Sequence, residues 1–224
     1  MDLKKYQNIE KSISQERLSV YGADGADTDT VLARYFYNIE LCKSLYPLIS
    51  IFEVTLRNSI DTSLCVFYGL TDWNNLIPLQ NTEQTMIAES LLKIKRNGKK
   101  YSHGRLIAEL TLGFWTALMG RKYNTQKFQY AIVKNAFPNC PKTKRTTFQL
   151  QKDLSEIRFL RNRIAHHERI LHWQDLKLKH DTIIDFIGWM NPDLQKIAID
   201  VDTFPDVYNA GLAPFLQKAE NDWN

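Results

Sequence analysis

Arg158-Phe159-Leu160-Arg161-Asn162-Arg163-Ile164-Ala165-His166-His167-Glu168-Arg169 is the stretch that decides how the chain folds. At about 100° per residue of α-helix, with Arg161 at zero, Leu150, Leu154, Ile157, Leu160, Ile164 and Leu171 fall in one stripe, roughly 260° to 20°. Apolar residues at that period make a buried helix face. The spacing predicts a helix from about Thr147 through the quoted stretch. On the same wheel Asn162 lies at about 100° and His166 at about 140°, away from the stripe, while His167, at about 240°, borders it. His166 is therefore the histidine expected to meet a substrate or partner. His167 is expected to be structural.

Arg161, Asn162 and His166 suffice for work on a phosphodiester without a metal. Histidine titrates near neutrality and can move a proton. An arginine fork holds phosphate oxygens and stabilises charge developing on them, and asparagine can orient the histidine or bond a ribose hydroxyl. Arg161 stands about 140° from His166 on an ideal helix. A helix irregularity, the reach of the arginine, or pairing across a dimer has to close that gap.

The hexapeptide Arg161–His166 matches the Arg-Asn-x-x-x-His form of the signature of HEPN ribonucleases. Phe52-Glu53-Val54-Thr55-Leu56-Arg57-Asn58-Ser59-Ile60 and Leu110-Thr111-Leu112-Gly113-Phe114-Trp115, the latter followed by Leu118, resemble the Abi-like family of bacterial abortive-infection proteins. Members of that family carry a HEPN-type fold. The resemblance implies a HEPN-like all-α helical bundle with additional N- and C-terminal helices. It is expected to form one domain over 1–224, with a core at about 28–190 and an extension at 191–224. It further implies an endoribonuclease that needs no cofactor and no metal, in which a 2′-hydroxyl attacks the neighbouring phosphate, with Arg161, Asn162 and His166 catalytic. HEPN ribonucleases pair two motifs across a cleft. Five residues beyond Arg57 stands Thr62 rather than histidine, so a homodimer through the Arg161–His166 face is implied.

Along the chain, residues 3–20 read as helix, broken at Gly22 and Gly25. Asp27-Thr28-Asp29-Thr30 offers caps for the next helix. Val31, Tyr35, Ile39, Cys42 and Tyr46 keep helical spacing. Pro47 either kinks that helix or starts a new one. Leu48, Phe52, Leu56, Ile60, Leu64 and Phe67 continue the period to Gly69. Arg57 and Asn58 lie beside this line, as surface or ion-paired residues or as a supplement to the phosphate site. A loop over Thr71–Thr82 leads into a helix from Glu83 to Arg96 that stops at Asn97-Gly98. Leu106–Met119 reads as a buried helix in which Gly113 permits close approach of another backbone, with Phe114 and Trp115 in the core. Further helices are expected over Phe128–Phe137, His180–Met190 and Pro192–Ile199, with Asn191 as a cap. Nothing alternates with a period of two, so no strand is expected.

Lys93, Lys95, Arg96, Lys99, Lys100 and Arg105 form a basic run without an acid. Such a run is a solvated face or the place where an RNA backbone lies; Tyr101 and His103, interleaved with it, could stack on bases. Arg163 and His167 join Lys95, Arg96, Lys99 and Lys100 as supporting candidates. The composition, 44% hydrophobic and 24% charged over 224 residues, is that of an ordinary globular chain. A charge of +4 and a pI near 8.8 are compatible with RNA as partner. No apolar run reaches membrane-span length, and the N-terminus opens no signal peptide, so a cytoplasmic protein with no membrane partner is expected. Cys42, Cys65 and Cys140 lack ligand spacing with one another or with the five histidines; they read as buried free thiols. Two other classes fit the motif: a non-catalytic RNA-binding module held by a cognate RNA or protein, and a structural helix in which Arg161 pairs with Glu156 or Glu168.

Overall fold

The longest helix grows from the cap expected of it. Asp27 Oδ1 accepts the Thr30 N–H at 2.9 Å and Oδ2 the Thr30 hydroxyl at 3.0 Å, and those bonds hold the Asp27 carboxyl below the usual carboxylate range. In the computed structural model, which describes residues 2–69, 73–123, 125, 130–221 and 223, this helix (α3, Thr28–Tyr68) runs for 41 residues with Pro47 inside it. A proline in a helix interior costs roughly 3 kcal/mol. Leu41, Leu45, Leu48, Phe52 and Leu56 on its buried face are each at most 1% exposed. At about 1.5–3 kcal/mol per buried side chain, that face outweighs the proline. Before Pro47 the expected apolar line is displaced: Ile39 and Tyr46 are exposed, and Leu41 and Leu45 are buried instead. Two apolar lines run along this segment. The aliphatic one wins, because burial of a tyrosine also needs a partner for its hydroxyl.

Every regular element among the described residues is helical, as expected. Helices α1 (Leu3–Ile13) and α2 (Gln15–Ser19) replace one continuous helix, because Ser14 stands at φ 89 and caps the second through Arg17 N–H. A 3₁₀ turn at Trp73–Asn75 lies in the expected loop, whose Thr71 and Asp72 fall outside the described residues. Then come α4 (Asn81–Arg96), α5 (His103–Glu109) and α6 (Leu112–Ala117). The predicted helix over 106–119 is thus divided, where Leu110 and Thr111 adopt extended backbone. At Gly113 a Cβ would meet Thr111 Oγ1 at 3.4 Å and Arg158 Nη1 at 3.9 Å, so side chains rather than another backbone border it. Phe114 and Trp115 are core, as expected. Tyr130–Lys134 is π-helical; Phe128, expected to open this helix, lies outside the described residues. The motif helix is α7 (Thr147–Ala165), followed by α8 (Leu176–Met190), α9 (Pro192–Asp200), α10 (Phe204–Ala210) and α11 (Ala213–Asn221). Asn191 caps α9 through the N–H groups of Asp193 and Leu194, both at 3.0 Å.

The chain divides into two compact units, one of residues 1–47, 160–180 and 201–224, the other of residues 48–159 and 181–200. In the first, Leu18, Tyr21, Val31 and Leu32 form a cluster on which Tyr6, Ile9, Ile13, Leu171 and Trp223 pack. The same unit buries an ion-pair geometry, His180 Nε2 to Asp202 Oδ2 at 2.7 Å, with Phe204 stacked on the imidazole at 4.4 Å. In the second, Trp73, Phe114 and Trp115 meet edge to face or tilted, and Phe186 packs against Phe52, Phe137 and Trp189. Among the described residues no helix is long and apolar enough to cross a membrane.

Candidate functional site

The motif helix stops earlier than its apolar period suggests. Leu150, Leu154, Ile157 and Leu160 are fully buried as expected, but the helix ends at Ala165. His166 N–H still bonds Asn162 C=O at 2.9 Å; then His167 N–H turns back to Ile164 C=O at 3.0 Å and Glu168 N–H to Arg163 C=O at 2.8 Å. This pair of bonds is the Schellman closure of a helix, which requires a left-handed residue between them. That residue is His167, at φ 57. Helix α4 closes in the same way, with Gly98 at φ 65 between Lys95 and Lys99. There the glycine announces the stop; at the motif a histidine holds the left-handed position and hides it. His167 is consequently exposed and does not border the core, which corrects the reading from the helical wheel. Its structural role is carried by its backbone.

Contacts within the first unit hold this turn. Asn38, 3% exposed, accepts the Ile170 N–H at 2.7 Å and the Leu171 N–H at 3.2 Å, and donates to Glu168 C=O at 3.3 Å. A buried amide so placed satisfies three backbone groups just past the helix end, which would otherwise be orphaned. Arg17 donates to His167 C=O, and Arg169 to Val20 C=O. Asn38 escaped the sequence analysis, although it sits on the line Leu41-Leu45-Leu48, where a polar residue needs a partner.

Of the motif side chains, Asn162 and His166 are exposed and Arg161 is half-buried, with its Nη1 3.4 Å from Asn162 Oδ1. No side chain among the described residues bonds the His166 imidazole. Arg163 is engaged: it pairs with Glu168 Oε2 at 2.9 Å and lies 5.9 Å from the Trp173 ring centroid. His172 beyond it is held below the usual imidazole range, by burial first and then by Arg169 and Arg163.

The remaining candidates belong to the second unit. Arg57 is half-buried, reaches Ala108 C=O at 3.5 Å, and keeps its Nε buried with no partner; Asn58 is exposed. Lys95, Arg96, Lys99 and Lys100 are exposed at the end of α4 and in the segment after it, and none is ion-paired among the described residues. Lys93, by contrast, pairs with Glu109 at 2.6 Å. Tyr101 is exposed, whereas His103, expected to be free for stacking, is committed to Asp61, with Nε2 2.8 Å from Oδ1. Cys65 Sγ lies 3.8 Å from the same Oδ1 and 3.9 Å from His103 Nε2. The three cysteines are free thiols, but only Cys140 is buried; Cys42 and Cys65 are half-buried. Burial, then the Asp61 carboxylate, pushes the Cys65 thiol up, so it is no activated nucleophile.

A family model described as Abi-like protein matches residues 2–172. The chain belongs to the Abi-like family. The match takes in Phe52–Ile60, Leu110–Leu118 and the whole motif helix with its closing turn. No curated protein and no solved structure matches the chain.

Proposed function

We propose that this Abi-like protein is a metal-independent HEPN-type endoribonuclease that acts in abortive infection by cutting RNA inside the infected cell. The observation that carries the reading is the placement of His166: an exposed imidazole that no described side chain bonds, at the closing turn of a helix that also presents Asn162 and Arg161. In this mechanism His166 accepts the proton of a ribose 2′-hydroxyl. The 2′-oxygen attacks the adjacent phosphorus, the bond to the 5′-oxygen breaks, and that oxygen takes up a proton. The products are a 2′,3′-cyclic phosphate and a 5′-hydroxyl. Arg161 holds the non-bridging oxygens as charge grows on them. Asn162, in contact with Arg161, orients that guanidinium. One imidazole cannot accept and donate at once, so a second His166 from another copy supplies the acid. Lys95, Arg96, Lys99 and Lys100 add sequence-independent affinity for the phosphate backbone. The test is cleavage of total RNA by purified protein in EDTA, with folding followed by circular dichroism. Wild type is expected to leave cyclic phosphate ends and to spare DNA. His166→Ala is expected to lose about 10²–10⁴-fold in rate with an unchanged melting temperature. Wild type that binds RNA tightly and leaves it intact would instead make the protein an RNA-binding module.

A further inference from the structure

The second unit gathers a thiol, an imidazole and a carboxylate that the motif chemistry leaves unused. Asp61 and Cys65 are four residues apart on α3 and so project from one helix face. His103 is the first residue of α5, set there by Ser102, whose hydroxyl caps the Arg105 N–H. One ligand atom from each of the three lies within 4.8 Å of the others. The indole N–H of Trp73, itself 1% exposed, donates to Asp61 Oδ1 at 2.7 Å and fixes the carboxylate. His103 Nδ1 is buried with no partner, so the ring engages its surroundings through Nε2 alone, the atom aimed at the other two donors.

We infer that Asp61, Cys65 and His103 form a binding site for a borderline divalent transition metal, zinc above all, with a fourth position for water. Mixed S, N and O donors suit zinc. A tetrahedral ion with bonds of about 2.3 Å to sulfur and about 2.0–2.1 Å to nitrogen or oxygen sets its donors about 3.3–3.6 Å apart. The separations here are 2.8 Å for Asp61 to His103, 3.8 Å for Cys65 to Asp61 and 3.9 Å for Cys65 to His103. Each differs from the metal-bound spacing by no more than about 0.5 Å, a shift within reach of side-chain rotation alone. The ion takes the place of the Cys65 thiol proton, which leaves to solvent, and of the hydrogen between His103 Nε2 and Asp61, the imidazole then carrying its hydrogen on Nδ1. The hydrogen bond from Trp73 then becomes the outer contact that orients the carboxylate. Metal-bound imidazoles usually donate through their second nitrogen; the unpartnered Nδ1 of His103 places this site among the weaker ones.

Binding at this site is independent of the ribonuclease reading, and cobalt spectroscopy tests it without any RNA. The full chain, stripped by chelator and dialysed, is titrated with Co(II). One equivalent is expected to give visible d–d bands of tetrahedral intensity and a near-ultraviolet thiolate-to-cobalt band, both abolished by added Zn(II). Cys65→Ser should remove the thiolate band, while Asp61→Asn and His103→Ala should weaken binding at least tenfold. The paired variant Cys42→Ser/Cys140→Ser should leave the spectrum as in wild type. It also serves as the folded control, since its ligands are untouched. Absence of the thiolate band in wild type, its survival in Cys65→Ser, or its loss in the paired variant overturns the assignment.

Discussion

Asn38 and His167 bear on the motif through backbone geometry. Replacing Asn38 with alanine leaves the buried Ile170 N–H and the part-buried Leu171 N–H and Glu168 carbonyl without their partner. A buried orphan costs about 1–3 kcal/mol and one that water can reach costs less, so Asn38→Ala is expected to lower the unfolding free energy by about 2–4 kcal/mol. Asn58→Ala, at an exposed helix position, should stay within about 0.5 kcal/mol of wild type; urea unfolding of the two variants side by side checks the contrast. At His167 the left-handed backbone costs a residue with a Cβ about 1–2 kcal/mol. A β-branched side chain suffers most there and glycine least. The expected order of urea midpoints is therefore His167→Gly at or above wild type, then wild type, then His167→Val about 1–2 kcal/mol below the glycine variant. An order with valine on top would mean that φ 57 is not the conformation in solution.

At the scale of elements, α4 and α7 end alike and present different chemistry at their ends. The end of α7 exposes Asn162 and His166; the end of α4 exposes Lys95, Arg96, Lys99 and Lys100, none of them paired with an acid among the described residues. If that cationic end lies against RNA, each phosphate contact contributes about 0.7 to the slope of log affinity against log salt on a single strand. Changing all four residues to alanine is then expected to weaken RNA binding for every sequence tested and to flatten the slope by about 2–3. Fluorescence anisotropy over a salt series measures both quantities. An unchanged slope returns this end of α4 to solvated surface. The variant should fold normally, because no side chain in the set is buried and no described acid depends on one.

At the scale of the whole molecule, the proposed reaction needs two imidazoles and one chain supplies one motif. A two-fold pair of chains brings two motif turns together, and the expected assembly is a homodimer through the Arg161–His166 face. Mixing wild-type chains with an excess of His166→Ala chains should lower cleavage by more than dilution does, because a heterodimer holds one imidazole where the reaction needs two. Ultracentrifugation at micromolar concentration checks the assembly. A strictly monomeric protein that still cuts RNA sinks the shared site. Much of this was legible from local pattern. The all-helical class, the apolar stripe Leu150–Leu160, the stop at Asn97-Gly98 and the cap at Asn191 all rest on spacing and on residues whose conformational preferences are strong. What remained hidden was what local preference leaves undecided. A helix can end on a histidine in the left-handed region when Asn38, Arg17 and the Val20 carbonyl hold the turn beyond it, and those groups are distant in sequence. Of two apolar lines before Pro47, burial chose the leucines. Asp61 and Cys65 found His103 only because α5 starts beside them; no spacing rule joins residues 38 or more positions apart. The sequence determined which segments are helices and which of their faces are apolar, since both follow from steric and hydrophobic preferences of neighbouring residues. Only the tertiary structure decided where the motif helix stops, that His167 leaves the core face, and which donors converge, because those depend on contacts between segments far apart along the chain.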